Sequence, residues 1–119
     1  MAMTDSIEVE LISKDLDLIR QLAAAPAQGI VLGPPRRIPG FGETLGVVAI
    51  TLGVASFPAG ILASLFASWL WENIKGQKEV TIRARLQCGE RSVELELTGT
   101  DDDAMAAAIS GAIAHVAKQ

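Results

Sequence analysis

Residues 44–71 read TLGVVAITLGVASFPAGILASLFASWLW and carry no charged side chain. Whether this run is a buried helix, a membrane span or a surface for other subunits decides the fold. From Ala55 it repeats a four-residue unit of two small side chains and two larger ones: ASFP, AGIL, ASLF, ASWL. Residues four apart are neighbours on a helix. Ala55, Ala59, Ala63 and Ala67 therefore form one ridge, and Ser56, Gly60, Ser64 and Ser68 form the ridge beside it. Adjacent ridges of small side chains let a second helix backbone approach closely, in lipid or in water. These residues are the candidate helix-helix interface.

The run exceeds the ~20 residues that a helix needs to cross a bilayer. Phe66, Trp69 and Trp71 stand near its C-terminal end as candidate anchors for a membrane interface or a partner, and Arg36, Arg37, Lys75 and Lys78 flank it. The spacing predicts one long apolar helix over 44–74. Pro58 should kink or break it, because proline removes a backbone donor and disfavours helical geometry at Phe57. A plain span would leave a small unit on each side of the bilayer, each too short to be stable alone. The flanks are expected to share one sheet instead, with the long helix projecting from it or packing against it.

Before the apolar run, Ile7, Val9 and Leu11 alternate with Glu8 and Glu10, the period of a strand with one buried face. Ser13 can cap a short helix with Leu16, Ile19, Leu22 and Ala23 on one side and Asp15 and Asp17 in its first turn. Ile30 to Leu32 suit a short second strand. The following GPPRRIPGFG reads as an extended linker, since proline cannot donate to a ladder.

After the run, VTIRARLQ and RSVELELT both alternate strictly about Cys88-Gly89-Glu90-Arg91. With Gly89 and Glu90 as the loop of a type II′ turn, Cys88 faces Arg91. That register pairs Leu86 with Val93, Ala84 with Leu95 and Ile82 with Leu97, and sets Arg85 opposite Glu94 and Arg83 opposite Glu96. A slip of one residue would turn the apolar set to water. Thr100 and Asp101 to Asp103 begin a last helix whose inner stripe is Met105, Ile109, Ala112, Ile113 and Val116.

A chain of 119 residues makes one domain. The expected fold is α+β: a small mixed or antiparallel sheet in the order β-α-β-α-β-β-α with one long apolar helix. Its parts are a β-α-β region with linker over 4–40, the helix over 44–74, a hairpin over 79–98 and a C-terminal helix over 101–118. A net charge of -4 excludes a nucleic-acid footprint, which needs clustered Lys and Arg. One cysteine, Cys88, forms no internal disulfide, and one histidine, His115, cannot supply a multi-histidine metal site. The acidic start MAMTDSIEVE lacks the basic end and apolar core of a signal peptide. The expected location is the cytoplasm or the inner membrane. Asp101 to Asp103 fit a helix cap better than a cation site. PPRRIP fits a linker better than a polyproline ligand or a contact to anionic lipid.

An acidic strand and short helix, a proline-containing linker, a hydrophobic segment ending in SWLW, a charged hairpin and a helix after GTDDDA follow one another in this order. The layout resembles the effector-associated constant component family of bacterial conflict systems. That resemblance covers most of the chain and implies a small non-enzymatic component, encoded with or fused to effectors such as peptidases and to nucleotide-dependent regulators. It transfers the order of elements and the hydrophobic segment from Ala63 to Trp71, and no catalytic residue.

The expected function is a non-enzymatic interaction module that oligomerises through the small-residue face of the helix. Insertion into a membrane, or perturbation of one, is one route by which it would support an effector. The alternative is a soluble dimeric α+β adaptor that recruits an effector such as a peptidase, with the apolar helix buried. Expected partners are a second copy of the chain, an effector protein and, in the first reading, a membrane. No cofactor or metal is expected.

Overall fold

The computed structural model describes residues 6–27, 29–40, 42–53, 58–75, 81–98 and 101–117. The elements are β1 (Ser6–Ser13), α1 (Leu16–Ala23), β2 (Ile30–Pro39), β3 (Thr44–Gly53), α2 (Ala59–Ile74), β4 (Thr81–Cys88), β5 (Arg91–Thr98) and α3 (Asp102–Ala117). The strands form one antiparallel sheet in the order β2-β3-β1-β4-β5. The class is α+β, but the element order is β-α-β-β-α-β-β-α.

The predicted long helix over 44–74 is therefore corrected: among the described residues, 44–53 form a strand and 59–74 a helix. Val47, Val48, Ile50 and Thr51 are β-branched and fit a pleated surface better than a helix. β3 lies between β1 and β2, with Val48, Ile50 and Leu52 facing the core beside Leu11, Val9 and Ile7. On its opposite side Val47 is also buried, flanked by Ile12 and Arg36. Among the described residues, no helix is long and apolar enough to cross a membrane.

The linker over residues 33–39 is likewise corrected, because β2 runs through it to Pro39. The Gly40 N–H donates to the Glu43 carbonyl at 2.7 Å and closes the β2–β3 turn. Counting back from that pair, Pro39 and Pro35 fall where the N–H would point away from β3, so proline costs the ladder nothing. A register shift between Leu32 and Pro35 absorbs the remaining irregularity.

The helices cover one sheet face. Ile7, Val9, Leu11, Ile82, Ala84, Leu86 and Leu97 meet Leu62, Phe66, Leu70, Ile74, Ile109 and Ile113 in one buried cluster. α1 lies over the β3 end of the sheet and α3 over β4 and β5, while α2 touches both helices. Asp15, rather than the expected Ser13, caps α1: its Oδ1 accepts from the Leu18 N–H at 3.0 Å, and the Ser13 Oγ accepts from the Asp15 N–H. The β4–β5 register is the expected one, from Cys88 with Arg91 to Ile82 with Leu97. Gly89 has φ +63 and, among the described residues, no non-glycine takes a positive φ, which fits a type II′ turn. The expected stripe of α3 is buried throughout. Asp101 Oδ1 caps that helix by accepting from the Ala104 N–H, while Thr100 lies outside the described residues.

Candidate interaction surfaces

The small-residue ridges of α2 are divided between the chain's own packing and its surface. Ala63 and Ala67 are only 5% and 6% exposed, whereas Gly60, Ser64 and Ser68 are open to solvent. All five line a shallow groove of about 380 Å³ whose other wall is Asp102, Asp103, Ala106 and Ser110 of α3. Within the chain, α2 and α3 are in contact and the small side chains of α2 border the groove between them. Ala59 is the first residue of α2, and its side chain lies outside the description; Ala55 and Ser56 lie outside the described residues.

Pro58 does not kink the helix. It is the N-cap of α2, with φ -58 and ψ 153, and its carbonyl accepts the Leu62 N–H at 3.0 Å. An extended proline immediately before the first turn fits because the N-terminal donors of a helix have no intrahelical partner to lose.

Two of the three candidate aromatic anchors, Phe66 and Trp69, lie in the chain's own core. Phe66 is fully buried, and Trp69, 7% exposed, stacks on it with ring centroids 5.7 Å apart. The Trp69 indole N–H donates to the Ala25 carbonyl at 2.6 Å, which ties α2 to the segment between α1 and β2. Asn73 reinforces the same contact, since its carbonyl accepts from Gln21 Nε2 at 3.1 Å and its Nδ2 donates to the Trp69 carbonyl. Trp71 is half-buried against the core. Ile61, 49% exposed, is the large apolar side chain that α2 presents to water.

The other sheet face has no helix over it among the described residues. An ion-pair ladder crosses it: Arg36 Nη2 to Glu10 Oε2 at 3.3 Å, Glu10 Oε1 to Arg85 Nη1 at 3.6 Å, and Arg85 Nε to Glu94 Oε2 at 2.9 Å. At one end the face opens as a cleft of about 820 Å³. Ile12 and Leu45 supply apolar walls, and Lys14, Asp15, Glu43, Arg83 and Glu96 supply charge, with Lys14 Nζ 3.5 Å from Glu43 Oε2. Sequence reasoning missed this cleft because its residues come from separate elements. The available signal was the outward set of each alternating strand, whose members face one another only once the strand order is known.

Among the described residues, no group of three or more His, Cys, Asp or Glu is placed to hold a metal ion. His115 is exposed on α3, and Cys88 is half-buried at the end of β4. Comparison with family models, with curated proteins and with solved structures yields no match to this chain.

Proposed function

We propose that this chain is a non-enzymatic interaction module, an α+β adaptor that recruits an effector such as a peptidase within a bacterial conflict system. In this reading helix α2 stays in the chain's own core, and the partner docks on the helix-free sheet face. The observation that supports it most is the composition of that face: Ile12 and Leu45 are framed by charges of both signs beside a cross-strand ion-pair ladder. Apolar centre and polar rim is the general anatomy of a protein interface. Co-expression with effectors of the class such components accompany, peptidases first, tests it. Leu45→Lys should abolish the complex on a sizing column and leave the circular dichroism spectrum unchanged. A complex that survives both Leu45→Lys and Ile12→Glu would refute docking on this face.

A second reading, self-assembly through α2, is favoured by the exposure of Gly60, Ser64 and Ser68 in the groove beside α3. An added Cβ at Gly60 meets nothing within 4 Å and Ser64 is exposed, so Gly60→Leu and Ser64→Leu should fill the groove with the monomer still folded, as circular dichroism checks. Light scattering should then show a smaller particle for both variants. An unchanged particle excludes this interface.

A further inference from the structure

The two edges of the sheet are built differently. On β2, Pro35 and Pro39 stand where outward N–H groups would be, and the register shift distorts the strand, so the edge is closed to a further strand. β5 has neither device. Among the described residues it pairs with β4 alone, in unbroken register from Arg91 to Thr98. Its two-residue loop makes Cys88 and Arg91 the doubly hydrogen-bonded closing pair. Alternation from there leaves Ser92, Glu94 and Glu96 with N–H and C=O pointing away from β4. All three residues are exposed. From Ser92 to Glu96, among the described residues, this edge is regular and open, which makes it a template for an added strand.

The charges on the outer face select that strand. β1 presents Glu8 and Glu10, β4 presents Arg83 and Arg85, and β5 presents Glu94 and Glu96. Across these three strands the sign alternates, so a basic neighbour of β5 would continue the pattern. On the inner side Val93 and Leu95 are only half-buried while Leu97 is covered. Apolar side chains at alternate positions of an added strand would complete that row. A second copy of β5 meets the opposite situation, because antiparallel pairing sets glutamates against glutamates and like charges across strands repel.

We propose that β5 is a docking edge for an extended segment of a partner protein in which Lys or Arg alternates with apolar residues, the segment joining the five-stranded sheet as a further strand. This rests on the adaptor reading for the protein nature of the partner; its site uses the backbone edge of β5, and of its residues Glu96 also lines the cleft.

The probe is a synthetic octapeptide alternating Lys and Val, compared with one alternating Glu and Val, each titrated into the full isotope-labelled chain and followed by amide NMR and hydrogen exchange. The Lys-Val peptide should slow exchange at Ser92, Glu94 and Glu96 and leave Val93 and Leu95, already bonded to β4, nearly unchanged. The Glu-Val peptide should do neither. Glu96→Lys should weaken binding about fivefold, the upper end of one cross-strand pair. Glu96→Pro removes an outward donor without touching the β4 ladder and should abolish binding at an unchanged melting temperature; if it unfolds the chain, Glu96→Lys decides alone. Equal affinity for both peptides, protection confined to other strands, or concentration-dependent protection of β5 without peptide, the mark of a second copy, each overturns the proposal. If Leu45→Lys loses the effector and Glu96→Pro retains it, the adaptor reading stands and the edge proposal falls. Loss with Glu96→Pro and retention with Leu45→Lys moves docking from the face to the edge.

Discussion

The Arg36 guanidinium lies 3.3 Å from the Glu10 carboxylate although their strands do not touch. β3 runs between them, and the residue it sets beside Glu10 is Ala49, too short to block the reach. Glu10 also faces Arg85 at 3.6 Å, so one carboxylate serves a cation from each side. Each pair is part-exposed and contributes at most about 1 kcal/mol. Glu10→Lys turns both attractions into repulsions and should lower unfolding free energy by about 1 kcal/mol at low salt. In 1 M NaCl, where the Debye length is ~3 Å, most of that loss should vanish. Urea melts at two ionic strengths check it, and a loss indifferent to salt would mean that packing rather than charge is at stake.

Gly46 is where α1 rests on β3. A Cβ added there would lie 2.9 Å from Ile19 Cγ1 and 3.0 Å from Leu16 Cδ2, both on α1. Alanine at a strand position ordinarily improves on glycine by reducing the entropy of the unfolded chain. Here overpacking wins: Gly46→Ala should cost about 1–3 kcal/mol in chemical denaturation. A more stable variant would mean that α1 does not sit this close to the strand.

These two sites also mark what the sequence could and could not disclose. β1, the β4–β5 hairpin and α3 were legible because each shows one face to water, so charge alternates with the apolar set at the period of the element. β3 was not, since Val47 is buried on the side that should have been polar and Ala49 is small enough to leave room for Arg36. Without polar alternation, an uncharged strand and an uncharged helix look alike. β2 was hidden by its prolines, whose meaning depends on which side of the strand is free. At the surfaces, the small-residue spacing of α2 pointed to a helix neighbour, but nothing local to it names α3, with Ala106 and Ser110, as a wall of the same groove. The cleft around Ile12 and Leu45 depends wholly on strand order.

Trp69 separates a core role from an anchoring one. Its indole N–H reaches the Ala25 carbonyl at 2.6 Å, and its ring stacks on the buried Phe66. Trp69→Phe keeps an aromatic ring and leaves that carbonyl without its donor, which should cost about 1–3 kcal/mol. A membrane anchor would show the reverse pattern, with unchanged stability and weaker binding to lipid vesicles. Thermal unfolding of the variant, set beside a vesicle flotation assay, tells the two apart.

Pro58 offers the sharpest contrast between a kinked helix and a helix that starts there. Were it inside a helix, replacing it by alanine would restore a hydrogen bond, relieve a clash and stabilise the chain by about 3 kcal/mol. As the N-cap it holds φ -58, a value natural to proline, and supplies no side-chain acceptor to the first turn. Pro58→Ala therefore removes only a rigid ring and should be neutral or destabilising by less than about 1 kcal/mol. Pro58→Ser loses the same ring but adds a hydroxyl that can accept from the first-turn donors, and should be more stable than Pro58→Ala by about 1 kcal/mol. The difference between the two variants cancels the effect of the ring on the unfolded chain, so it reports the cap alone. Equal stabilities for the two would show that the helix does not begin at this residue.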